Sequence, residues 1–77
     1  MRTFRDTQGT QWQAALLDGS FGGAILIFGQ IGGSALLHKP LDGMAENLGA
    51  AEQLLASLDD AGLRGLLAEA SPWSVGT

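Results

Sequence analysis

Up to Pro40 the apolar residues come in short runs, each closed by a turn signal. Asp6-Thr-Gln-Gly9 places Asp first and Gly fourth, the preference of a type I turn. Asp18-Gly19-Ser20, Gly29-Gln-Ile-Gly-Gly33 and Lys39-Pro-Leu-Asp-Gly43 punctuate the chain in the same way. The pieces between these turns are too short for helices. They read as strands over Arg2–Arg5, Thr10–Leu17, Gly23–Phe28 and Ser34–Lys39. Short links favour antiparallel neighbours, so the simplest arrangement is a meander.

After Pro40 the period becomes that of a helix. Leu41, Met44, Leu48, Ala51, Leu55 and Leu58 recur at alternating intervals of three and four, which puts them on one face. Asp42 is the candidate N-cap of this helix. Ser57-Leu-Asp-Asp60 fits a capping box and predicts a second helix from near Asp59. Leu63, Leu66, Leu67 and Ala70 form its stripe, and Pro72 stops it at Ser71. No strand is expected after Pro40, and Ser74–Thr77 reads as a frayed tail. The predicted class is α+β: a four-stranded antiparallel meander sheet followed by two C-terminal helices packed on one face. Residues 1–77 form a single small domain, with strands within 2–39 and helices within 41–70.

The strands are apolar on both sides. In Gly23–Phe28, Ala24, Leu26 and Phe28 point one way, and Ile25 and Ile27 the other. Leu36 and Leu37 divide similarly, as do Leu16 and Leu17. A sheet with one wet face alternates more cleanly. Two short helices cover one face, so Leu17, Ile25, Ile27 and Leu37 are the candidate face for a second copy. The copies could stack their sheets or pair their edge strands.

Charge narrows the choice of partner. The chain carries four basic and eight acidic residues, a net −4. Arg2, Arg5 and Lys39 against Asp6 and Asp18 leave residues 1–40 at +1. Arg64 against Asp42, Glu46, Glu52, Asp59, Asp60 and Glu69 leaves residues 41–77 at −5. Glu46, Glu52, Asp59 and Asp60, with Trp73, are the candidate surface for a basic partner protein. Binding of nucleic acid through phosphates normally needs more positive charge. A single-strand platform is still the main alternative, because a sheet bearing Phe4, Trp12, Phe28, Arg2, Arg5 and Lys39 has the right ingredients.

Motifs for catalysis are weak. Without cysteine there is no disulfide, thiolate nucleophile or Cys-based metal site. His38, the one histidine, needs an orienting carboxylate, for which Asp6, Asp18 or Asp42 would have to approach. A small enzyme with its site near His38 is the second alternative. Asp59 and Asp60 diverge by about 100° on a helix, so they suit a helix start better than a metal. Gly29–Gly33 follows a strand but matches no phosphate-loop spacing. No cofactor or metal is expected.

Gly19–Leu37 is an uncharged stretch of 19 residues, long enough to span a bilayer as a helix. Its glycines and Gln30 break it into strand-sized pieces, which argues against a membrane role. Arg2 and Arg5 are followed by polar residues rather than a signal-peptide core. The expectation is a cytoplasmic, homodimeric, non-enzymatic interaction or regulatory module.

Overall fold

The computed structural model describes residues 2–18, 24–41 and 45–73. Its elements are β1 (Arg2–Arg5), β2 (Gln11–Asp18), β3 (Ala24–Gln30), β4 (Leu36–Pro40), α1 (Leu48–Ser57), α2 (Asp60–Glu69) and β5 (Ser71–Pro72). The strands form one antiparallel sheet in the order β1-β2-β3-β4-β5. The fold is α+β, a meander followed by two helices that pack on one face.

Two glycine turns set the register. In the β1–β2 hairpin the Gly9 amide donates to the Asp6 carbonyl at 3.1 Å, and the Asp6 amide donates to Thr10 at 2.9 Å. Gly9 has φ +83°, so the three-residue loop Thr7–Gly9 is a type I turn closed by a left-handed glycine. Between β3 and β4, Gly32 has φ +81° at the third position of the turn Gln30–Gly33, as a type II turn requires. The Gln30 amide donates to Ala35 across that turn at 3.0 Å. This register aligns Phe28 with Leu37 and Gly29 with Leu36.

Phe4, Trp12, Ala14, Ala24, Leu26 and Phe28 form the sheet side of the core, facing Ala51, Leu55, Leu63 and Leu66 of the helices. Phe4 and Phe28 meet edge to face, with centroids 5.8 Å apart. Charged side chains tie the layers at their rims. Arg2 donates to the carbonyls of Leu55 (2.9 Å) and Leu58 at the end of α1, and pairs with Asp60 at 3.6 Å. A cation suits those orphan carbonyls and the negative end of the helix dipole. Arg64 donates to the Arg5 carbonyl at 2.7 Å, and Lys39 pairs with Glu69 at 3.3 Å.

Several boundaries differ from those the sequence suggests. The first helix begins at Leu48, not near Leu41. Leu41 instead prolongs the sheet, its amide donating to Ala24 at 2.9 Å, and Asn47 caps the helix by accepting from the Ala50 amide at 2.8 Å. Asp42, the expected cap, and Met44 lie outside the described residues, as does the Ser74–Thr77 tail. The second helix does start after Asp59, but no capping box forms. Asp59 accepts from the Gly62 amide at 2.8 Å, while the Ser57 hydroxyl turns back to Leu54. There is also a strand after Pro40. The residue before a proline favours extended backbone, so Ser71–Pro72 leaves α2 and pairs with the edge of β4.

Leu55 is 6% exposed at the centre of the helical stripe. Leu55→Ala is expected to cost about 2–5 kcal/mol, from lost transfer energy plus the cavity left behind. That is a large part of the stability of a domain this small. Urea denaturation checks it, and an unchanged midpoint contradicts this packing.

Candidate functional site

Among the described residues, the β2–β4 part of the sheet side away from the helices is apolar and carries no helix, while Thr3, Arg5, Gln11 and Gln13 share that side towards β1. Strand alternation and register bring Ala15 and Leu17 of β2 beside Ile27 and Ile25 of β3. On β4, Leu36 lies beside Gly29 and His38 beside Ile27. Trp73 follows β5, its amide donating to the Leu36 carbonyl at 2.9 Å and its ring 5.4 Å from that of His38. Leu17 and Leu36 are 47% and 39% exposed, while Ile25, Ile27 and Trp73 are half-buried. Gly29 leaves a dimple in this surface, because a side chain there would meet only the tip of Leu36 at 4.0 Å.

Of the four residues expected on this face, Leu17, Ile25 and Ile27 are there. Leu37 is not. Its alignment with Phe28 turns it to the helices, where it packs on the core, and Leu36 takes its place. Two adjacent leucines give no parity from sequence; the turn at Gln30–Gly33 supplies it. Trp73 belongs to the sheet face rather than to the acidic helical surface. The signal for it was Pro72, which forces an edge-strand conformation just before the tryptophan.

The acidic candidates do not gather into one site. Asp59 is the α2 cap and Asp60 faces Arg2. Glu46 and Glu52 are exposed on the helical side. Glu52 lines an open cleft with Arg2, Leu16, Leu55 and Ala56, but the Arg2 guanidinium already serves the α1 carbonyls and Asp60. Among the described residues, no group of three or more metal-ligating side chains comes together.

Both sheet edges are occupied in part. Arg64 of α2 caps the Arg5 carbonyl on β1. On the other side β5 covers β4 as far as His38, and Pro40 has no amide to offer a further strand. Gly29–Gly33 is a strand end and a hairpin turn, without the helix N-terminus of a phosphate loop. Among the described residues no helix is long and apolar enough to cross a membrane. The described part of Gly19–Leu37 is strand, turn and strand.

His38 is not held as a catalytic base would be. Among the described residues its buried Nδ1 has no hydrogen-bond partner, and no carboxylate lies within ion-pair distance of the ring. Asp6, one of the carboxylates considered for it, is committed to its own hairpin. It accepts from the Gln8 and Thr10 amides at 2.8 and 2.9 Å and from the Trp12 indole at 2.9 Å. Asp18 is on β2, paired with Ala24, and Asp42 lies outside the described residues.

Comparison with protein-family models, curated protein sequences and solved structures gives no match.

The Trp12 indole holds the Asp6 carboxyl below the usual carboxylate range. Partial burial opposes it, and the two backbone amides and the Arg64 charge add to it. The folded state therefore binds this proton less readily than the unfolded chain. The stabilisation is present above the usual carboxylate range and is lost as pH falls through and below roughly 4. Asp6→Asn is expected to flatten the loss of stability between neutral pH and pH 3, measured by thermal melts followed at the tryptophans. An equally steep acid loss in that variant contradicts this role.

Proposed function

We propose that the chain is a non-enzymatic interaction module that acts as a face-to-face homodimer. The observation that carries this reading is the continuous apolar surface of Ala15, Leu17, Ile25, Ile27, Leu36 and Trp73 on the uncovered side of the sheet. Large side chains on a surface contribute up to about 1.5–3 kcal/mol each when fully covered, and proportionally less where half-covered already. The strands hold 4, 8, 7, 5 and 2 residues, which at about 3.3 Å per residue and about 4.8 Å between strands span roughly 400 Å² in flat projection. Two such faces together give roughly 800 Å² in flat projection, the size of a weak, reversible association.

Charge favours a second copy as the occupant. From Ala15 across to Pro40, the sheet positions on this face carry no acidic or permanently basic side chain. Most of the acids lie on the helical layer. Stacking the sheets puts the two acidic layers on opposite outer surfaces, about 30 Å apart at roughly 10 Å per layer. That is several Debye lengths at physiological salt, so the net −4 of each copy hardly opposes this contact. Arg64, β5 and Pro40 leave the edges poor alternatives for pairing. The outward helices, with Glu46 and Glu52 exposed, remain free to meet a basic partner protein.

A nucleic-acid platform has less support. Phe4, Trp12 and Phe28 are buried under the helices, and Arg2 and Lys39 face the same way, engaged with Asp60 and Glu69.

Neighbouring substitutions separate folding from assembly. Leu26 is 1% exposed under the helices, whereas Ile27 is on the open face. Leu26→Lys is expected to unfold the chain by burying an unpaired charge. Ile27→Lys is expected to give a folded monomer of 8.0 kDa in sedimentation equilibrium, where the parent runs at twice that mass. A parent that sediments as a monomer at high micromolar concentration contradicts the proposal.

A further inference from the structure

His38 is the one ionisable side chain in the middle of the open face. It stands between Ile27 on β3 and Ser71 on β5, with Leu36 and Pro40 on either side along β4. The ring packs against Trp73 with planes 64° apart. Its Nδ1 is shut off from solvent and has no hydrogen-bond partner among the described residues. Among the described residues, the elements packed against it offer no compensating charge. β3 (Ala24–Gln30) has no ionisable residue, and neither has the segment Ser71–Trp73. On β4 itself, Lys39 points to the opposite face and pairs there with Glu69 of α2.

A neutral imidazole can keep Nδ1 as a bare acceptor against apolar neighbours at modest cost. An imidazolium cannot, because it carries a proton on both nitrogens and has a donor at Nδ1 with nothing to receive it. Covering the face removes water from the rest of the ring as well. Among the described strand positions this face of a second copy carries no carboxylate; its ionisable groups are Arg5 towards β1 and its own His38, so no counter-charge arrives with it. Histidine is the side chain whose charge changes between pH 5 and 8.

We propose that His38 makes self-association of this face pH-sensitive: the neutral imidazole permits the second copy, and protonation expels it. This rests on the homodimer reading and adds its regulation. The sign follows from linkage. The dimer binds the proton less readily than the monomer, so association is strongest above the histidine range and is lost as pH falls. Each titrating histidine changes the dimer dissociation constant by up to about tenfold per pH unit, and a dimer holds two.

The test is sedimentation equilibrium of the parent and of His38→Phe at pH 7.5 and pH 5.5, with circular dichroism on the same samples. The parent dissociation constant is expected to rise at least about tenfold at the lower pH with the fold intact. His38→Phe keeps an aromatic ring there without the charge and is expected to stay dimeric at both. Asp6 titrates well below this window and does not confuse the reading. A parent that dimerises equally at both pH values overturns the role of His38 and leaves the dimer standing. So does a His38→Phe protein with the parent's pH response, or a parent that unfolds at pH 5.5. A parent that is monomeric at pH 7.5 overturns both.

Discussion

Strand β3 is apolar on both sides, and two ten-residue helices can dry only one of them. The helices take the side of Ala24, Leu26 and Phe28, because the larger buried partners, Phe4 and Trp12, stand there too. Arg2, Arg64 and Lys39 then fix the helical layer at its rims, each to a carbonyl or carboxylate of the facing layer. Exposed pairs of this kind are each worth little. Their effect is to hold the helices on one side and leave the other bare. What remains is a two-layer slab, 18 Å in its shortest dimension.

The bare face and the acidic helices are thus one fact seen from two sides. Acidic charge accumulates where the helices meet solvent, while from β2 to β5 the open side of the sheet carries none, Arg5 on β1 being its one permanent charge among the described strand positions. A covering layer of the same chain needs no counter-charge and meets no repulsion. The same neutrality makes His38 conspicuous, since it alone can place a charge in the middle of that surface. Function, on this account, is the presentation of paired acidic helical surfaces. In this proposal the sheet face supplies the assembly, and the histidine sets when it forms.

Much of this was legible in the residues. Turn chemistry at Asp6–Gly9 and Gly29–Gly33 separated the strands, and the change of period after Pro40 separated sheet from helix. The two-sided character of Ala24–Phe28 was visible because every position is apolar. Three features were not legible. Leu36 and Leu37 carry no parity of their own, so the face of each waits on the register that Gly32 imposes. The apolar stripe from Leu41 is continuous in sequence, yet Leu41 finishes the sheet, and Asn47 is the better-placed cap. β5 has two residues and no propensity to announce it; it exists because Pro72 cannot continue α2 and the edge of β4 is open beside it.

The central claim is that the sheet face of one copy lies on that of another. Isotope-filtered nuclear Overhauser spectra of a mixture of labelled and unlabelled chains test it most directly. They report only contacts between copies. The account predicts cross-peaks from the methyl groups of Leu17, Ile25, Ile27 and Leu36 to the same set on the other copy, and to Trp73. Intermolecular peaks from Leu48, Leu54 or Leu67 on the helical side, with none from the isoleucines of β3, would contradict it.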